Sequence, residues 1–159
     1  MNTQPVISAA LIIPQLQAPD WQTAIRLLGE RLQAAGYVHD TYVPAVLDRE
    51  AIFPTGLPLG TIDVAIPHTD VAHVVTPGIA VATLAEPVTW QQMGSPEESV
   101  SARIVFLLAM KDPQAQVNLL ANLVDIFQKE EVLRQLTETA DVATIERMMM
   151  DELRVQEAV

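Results

Sequence analysis

Apolar and polar residues alternate at Ile62, Asp63, Val64, Ala65 and Ile66, and the last three of these are apolar without a break. That pattern predicts a strand entering a core. Pro67 has no N–H to give a sheet ladder, so the strand is expected to end there and deliver His68 onto an exit loop. Upstream, residues 6–13 read as a first strand. Asp20 is placed to cap a helix on which Trp21, Ile25, Leu28 and Leu32 share a face, and Gly36 supplies its stop. A second helix is predicted to start near Thr41, with Pro44 in its first turn, and to run to Phe53; residues 54–58 predict a turn or loop.

Downstream of His68, residues 78–84 and 88–90 read as two β-rich strands separated by Glu86-Pro87. Residues 93–99 are polar and predict an exposed loop. Residues 103–110 form a continuous apolar run of strand length, the signature of a strand covered on both faces. Asp112 and Pro113 then supply an N-cap and first-turn proline for a helix expected to carry Val117, Leu120, Val124 and Phe127 on one side. Shorter helices are expected over 130–136 and 141–155. The order β, α, α, β, β, β, β, α, α, α predicts an α/β fold, a mixed sheet with helices packed against it, in one domain spanning 1–159.

Composition narrows the functional classes. Half of the 159 residues are apolar but only 4% are aromatic, so Val, Leu, Ile, Ala and Met must build the core. The formal charge of −11 and the presence of only two lysines, Lys111 and Lys129, argue against nucleic acid and anionic membranes as partners and favour a basic protein. The lack of cysteine removes disulfides, thiolate catalysis and cysteine-ligated zinc. Neither a signal peptide nor a bilayer-spanning run is legible, so a soluble cytoplasmic protein is expected.

A titratable imidazole at the end of a buried strand is a reactive group on a rigid mount, which makes His68 the leading site candidate. Its bland counterpart is an ordinary loop histidine. His39, in a connection after Gly36, is expected to be solvated. His73, five residues after His68, lies off its helix face, and a zinc site from His68, His73 and Asp70 lacks ligand spacing. Asp70 reads as a turn or cap residue, Glu97 and Glu98 as solvated, and Met148, Met149 and Met150 as adaptable core filler.

Three segments in combination resemble the cytoplasmic IIA domain of the fructose/mannitol-type sugar phosphotransferase system. They are Arg49-Glu50 with Thr55-Gly56, then Val64 to Thr69 reading Val-Ala-Ile-Pro-His-Thr, then the helix over 114–128 after the apolar strand. Pro54-Thr55-Gly56-Leu57 and the glutamines of that helix look most like the galactitol-type components. The resemblance extends from the Trp21 helix to the last helix. It implies a mixed, mostly parallel sheet of about five strands with helices on both faces. It further implies that His68 accepts a phosphoryl group from phospho-HPr and passes it to a IIB component, with the membrane reached only through the IIC transporter. The enzymatic role is then that of a phosphotransferase relay, with no cofactor or metal.

The chemistry suits such a relay. A neutral imidazole, with an ordinary pKa of about 6.5, is a nucleophile at physiological pH. The incoming group carries about two negative charges, so the resemblance makes Arg49 its stabilising guanidinium. It makes Thr55 and Gly56 the shapers of an adjacent loop whose N–H groups meet phosphate oxygens. Many mannitol-type relatives place a second histidine where this chain has Gln116, whose amide is the expected substitute donor. Asp63 stands where glycine is usual and is expected to face solvent. Two other functional classes compete. A stand-alone regulatory module of the nitrogen-branch kind would use the same phosphohistidine to alter protein binding. A metal-dependent hydrolase would need the ligand spacing that this chain lacks.

Overall fold

The apolar run at 103–110 owes its continuity to helices on both sides of the strand that contains it. In the computed structural model, which describes residues 7–158 and side chains as far as residue 153, that strand is β5 (Ser95–Ala109). Before it come β1 (Ile12–Leu16), α1 (Trp21–Ala34), α2 (Tyr42–Ile52), β2 (Gly56–Leu57), β3 (Asp63–Ala65) and β4 (Gly78–Gln92). After it come α3 (Pro113–Phe127), α4 (Glu130–Glu138) and α5 (Val142–Ala158).

Side chains alternate across the sheet. Val105, Leu107 and Ala109 of β5, with Ala80, Ala82 and Leu84 of β4, face α1 and α2, where Ile25, Leu28, Leu32, Tyr42 and Val46 complete one core. Ile104, Phe106 and Leu108, with Ile79 and Val81, face α3, α4 and α5 and pack on Leu119, Leu123, Leu133 and Ile145. Each fully buried Leu or Ile of this kind contributes about 1.5–3 kcal/mol relative to exposure. The expected five-stranded mixed sheet with helices on both faces is thus the observed architecture.

The hydrogen-bonded order is β1–β4–β2–β3–β5, and β4 also pairs with β5, so β4, β2, β3 and β5 close a ring of pairings. Three of the five pairings are parallel, β1 with β4, β2 with β4 and β3 with β5. The antiparallel ones are β2 with β3 and the long β4–β5 hairpin.

Several boundaries differ from expectation. The first strand begins at Ile12, after a 3-10 turn at Ala9–Leu11, and runs on through Pro14 to Leu16; residue 6, included in the expected strand, lies outside the described residues. It tolerates the proline because the register with β4 shifts between Ile13 and Leu16, where Gln15 takes a positive φ of 54°. Residues 78–84 and 88–90 belong to the single strand β4, whose register shift between Thr83 and Val88 accommodates Glu86-Pro87. The expected loop at 93–99 is the tip of the β4–β5 hairpin, turned at Gly94 with φ 78°; Glu97 and Glu98 are exposed there, where the register shifts between Gln91 and Gln92. Residues 54–58 contain a two-residue strand, β2, rather than loop alone.

Helix α3 is rotated from its expected face. Ala115, Leu119, Leu123 and Ile126 turn inward, whereas Val117 is 59% and Val124 45% exposed. Phe127 is buried beside Phe106, with ring centroids 5.4 Å apart. Both faces of this helix are apolar, so packing, not periodicity, selects between them. The predicted caps form: Asp20 accepts from Thr23 N and Asp112 from Gln114 N.

Candidate functional site

His68 follows β3 by three residues, and the chain there still runs beside β5. Leu108 N donates to the Pro67 carbonyl at 3.1 Å, so Pro67 lacks a donor but supplies an acceptor beyond the last paired residue. Downstream, Val74 bridges Val38, Val75 N and Thr76 N donate to the Tyr37 carbonyl, and Lys111 Nζ donates to the Val74 carbonyl. The exit loop is therefore anchored at both ends.

The imidazole is 9% exposed. Its Nδ1 lies 2.8 Å from the Ile66 carbonyl oxygen. A carbonyl oxygen can only accept, so Nδ1 carries the hydrogen and Nε2 retains its lone pair. Burial pushes the His68 pKa below its ordinary value; the bond to Ile66 opposes that shift, and the positive charge of Arg49 adds to it. The site thus holds a neutral imidazole of defined tautomer.

Arg49 stands in the last turn of α2, close enough for its charge to act on His68. Its guanidinium carbon sits 5.5 Å from the Phe53 ring centroid. Among the described residues it forms no ion pair with Asp48 or Glu50. That leaves a cation beside the imidazole with its donors uncommitted to carboxylates among the described residues.

Thr55 and Gly56, expected to shape the loop beside His68, are bonded to neighbouring backbone and to Glu50. The Thr55 N–H is taken by Glu50 Oε2 at 2.6 Å, and its hydroxyl lies 3.2 Å from Ile66 N. Gly56 pairs with Ala65 and Gln92, and a Cβ there would sit 2.5 Å from the Gln91 carbonyl oxygen. Glycine is demanded by that close backbone approach. Gln116 lies in α3, with Oε1 buried and without a hydrogen-bond partner among the described residues.

Glu50 is the residue whose part the sequence did not disclose. It is 3% exposed and accepts from Thr55 N, from the Thr55 hydroxyl and from Trp90 Nε1 at 2.8 Å. Burial raises its pKa, against the pull of those donors. Its place beside Arg49 in a helix suggests a surface charge, and Trp90 lies forty residues away in sequence.

The remaining candidates lie apart from this network. Asp63 accepts from Leu59 N, Gly60 N and Ser101 N, so its carboxylate organises backbone instead of simply facing solvent. Asp70 occupies the cap position of the 3-10 turn Val71–His73, but its side chain makes no capping bond. His73 Nδ1 shares a 2.8 Å hydrogen bond with Thr41 Oγ1, and His39 is exposed. Met149 is in the core, Met148 packs against it and Met150 is 43% exposed. Among the described residues no His, Asp and Glu cluster could hold a metal ion, and no helix is long and apolar enough to cross a membrane.

Comparison with known proteins places this geometry among relatives. Residues 5–151 match the family described as "Phosphoenolpyruvate-dependent sugar phosphotransferase system, EIIA 2". The galactitol-specific EIIA component of the sugar phosphotransferase system of Escherichia coli K12 is 33% identical over 109 residues, covering 69% of this chain and 72% of that protein. The solved complex of enzyme IIAMTL and phosphorylated enzyme IIBMTL from Escherichia coli contains a chain with TM-score 0.76 and 27% identity, covering 93% of this chain and 99% of that one. The nitrogen regulatory protein IIA-Ntr of Neisseria meningitidis shares the fold, with TM-score 0.71 at 19% identity over 89% of this chain and 94% of that one.

Proposed function

The chain belongs to the EIIA 2 family of the phosphoenolpyruvate-dependent sugar phosphotransferase system, and from that premise we propose that His68 carries a phosphoryl group between phospho-HPr and a IIB component during coupled sugar uptake. The single observation that carries this reading is the bond from His68 Nδ1 to the Ile66 carbonyl, which leaves the Nε2 lone pair as nucleophile.

In the forward step that lone pair forms a bond to phosphorus. The bond from phosphorus to the donor histidine breaks, and its electron pair returns to the donor ring. The transferring group passes through a loose transition state, so positioning and charge stabilisation provide most of the rate. As positive charge grows on the His68 ring, the Ile66 carbonyl holds the Nδ1 proton and stabilises it. Arg49 offers a cation to the phosphoryl oxygens. Gln116 would offer the N–H groups of its side-chain amide, while Thr55 bonds Ile66 N and Gly56 pairs with Ala65. Transfer to IIB repeats the exchange with His68 as leaving group. The protein acts in the cytoplasm and meets the membrane through the IIC transporter. Likeness to the galactitol-specific component supports a polyol of that kind as the cargo of the coupled transporter.

The test is phosphorylation by phosphoenolpyruvate, enzyme I and HPr, comparing the parent with His68→Ala. An acid-labile phosphate present on the parent and absent from the variant supports the relay. No label on folded parent protein would sink it. A phosphorylated form that persists beside IIB and alters binding to another protein would instead favour the regulatory module.

A further inference from the structure

The strongest unexplained feature is a buried carboxylate two hydrogen bonds removed from the N–H of Ile66, the residue whose carbonyl holds His68. Glu50 Oε2 accepts from Thr55 N at 2.6 Å and from Trp90 Nε1 at 2.8 Å. The Thr55 hydroxyl has one hydrogen. With the carboxylate 3.0 Å away at Oε1, that hydrogen points to Glu50 and leaves an oxygen lone pair for Ile66 N at 3.2 Å. Ile66 N also lies 3.4 Å from the Thr55 carbonyl oxygen. The far side of the same residue, the Ile66 carbonyl, takes the His68 Nδ1 hydrogen at 2.8 Å. The route from Glu50 to His68 is thus continuous and directional.

We propose that Glu50 is a positioning residue: by orienting Thr55 it holds residue Ile66 from its N–H side, and so helps to set the Ile66 carbonyl that selects Nε2 of His68 as the nucleophilic nitrogen. The role rests on His68 being the phosphoryl acceptor. The link is geometric: it runs through the hydrogen bonds at Thr55 and Ile66. Pro54 explains the need. It precedes Thr55 and has no N–H, so the turn between α2 and β2 lacks one backbone donor with which to hold itself. The Glu50 side chain, one turn back in α2, supplies the fastening from the helix. Trp90 completes it from β4, with its ring 6.3 Å from that of Trp21. Removing the carboxylate frees the Thr55 hydroxyl to rotate, and the Ile66 N–H keeps only the longer 3.4 Å contact with the Thr55 carbonyl oxygen. The tautomer of a histidine follows the bond made by its other nitrogen, so a loosened Ile66 carbonyl releases the choice.

Ring-nitrogen NMR of His68 in the full chain reads this directly, alongside the phosphorylation rate. The parent is expected to show the Nδ1–H tautomer. Glu50→Ala and Thr55→Val are expected to give a tautomer mixture and a transfer rate lower by tenfold or more, with KM for phospho-HPr unchanged. Thr55→Ser, which keeps the hydroxyl, is expected to retain both. A folded Glu50→Ala or Thr55→Val protein with the parent's tautomer and rate overturns the proposal. Glu50→Gln keeps the volume and is expected to be intermediate; unfolding of all three destabilised variants would assign Glu50 to stability and overturn it too. The two readings separate cleanly. A tautomer that shifts on a parent that takes no phosphate upholds the positioning link while the relay falls, and a phosphorylated parent with an immovable tautomer does the reverse.

Discussion

The Tyr42 hydroxyl donates to the carbonyl oxygen of Leu108 at 2.6 Å, joining the first turn of α2 to β5. The N–H of the same Leu108 donates to the Pro67 carbonyl, so one residue ties the helix bearing Arg49 and Glu50 to the loop bearing His68. Tyr42 is fully buried, which pushes its phenol pKa far up and keeps it a neutral donor at any ordinary pH. Tyr42→Phe leaves a buried carbonyl without its side-chain donor and is expected to cost about 1–3 kcal/mol. Urea unfolding measures that loss, and a midpoint equal to the parent's would dismiss the link.

The lowered His68 pKa sets a pH window. The unfolded chain takes a proton on this ring at about pH 6.5, the folded chain only at lower pH. Between those values the unfolded state binds more protons, so this contribution to stability is complete above about pH 6.5 and is lost as pH falls toward the folded value. For transfer, the acid limb of the rate is expected below pH 6.5, since the ring stays unprotonated there. A pH profile with its acid midpoint above that value would contradict a buried, neutral nucleophile.

Glu50 has the opposite sign. Its folded pKa is raised by burial, so the folded state holds the proton more tightly and protonation favours the fold. That contribution is present below the ordinary carboxylate pKa and is lost as pH rises through the folded value. Denaturant midpoints of the parent and Glu50→Gln should therefore diverge with pH across that interval, the parent gaining on the variant toward acid. A constant difference from pH 4 to pH 7 would exclude a shifted carboxylate.

Arg49→Ala is expected to slow phosphorylation by roughly 10- to 150-fold, corresponding to a charge-assisted hydrogen bond of about 1.5–3 kcal/mol. Stability should change little, because the guanidinium is half-buried over Phe53 and forms no ion pair among the described residues. Rapid-quench phosphorylation decides it; equal rates would remove Arg49 from the mechanism.

His73→Ala removes the bond to Thr41 and is expected to cost about 1 kcal/mol of stability, with transfer unaffected. A large loss of phosphorylation in a folded variant would restore a two-histidine site.

Much of the candidate site's local framework was legible because local chemistry announces it. The alternation into Pro67 and His68 marks a strand end whatever surrounds it, and Asp20 and Asp112 act on N–H groups two or three residues away. The unread parts depend on contacts made far along the chain. Two residues of β2 carry no periodicity, and Pro87 reads as a break until a bulge absorbs it. Helix α3 has an apolar choice of faces that only the sheet decides. Glu50 resembles a solvated helix charge because its partner Trp90 arrives from β4.

Strand β1 has only β4 as a strand partner among the described residues. Its middle offers little to a second one: Pro14 has no N–H, and the Gln15 N–H is turned to β4, where Thr83 Oγ1 takes it at 2.8 Å. Gln15 also turns into the left-handed region, so the row of backbone groups is bent as well as broken. A strand from another molecule finds no regular ladder to extend, which blunts this edge as a seed for aggregation. The irregularity at Pro14 and Gln15 therefore makes this edge a poor template for strand pairing between molecules.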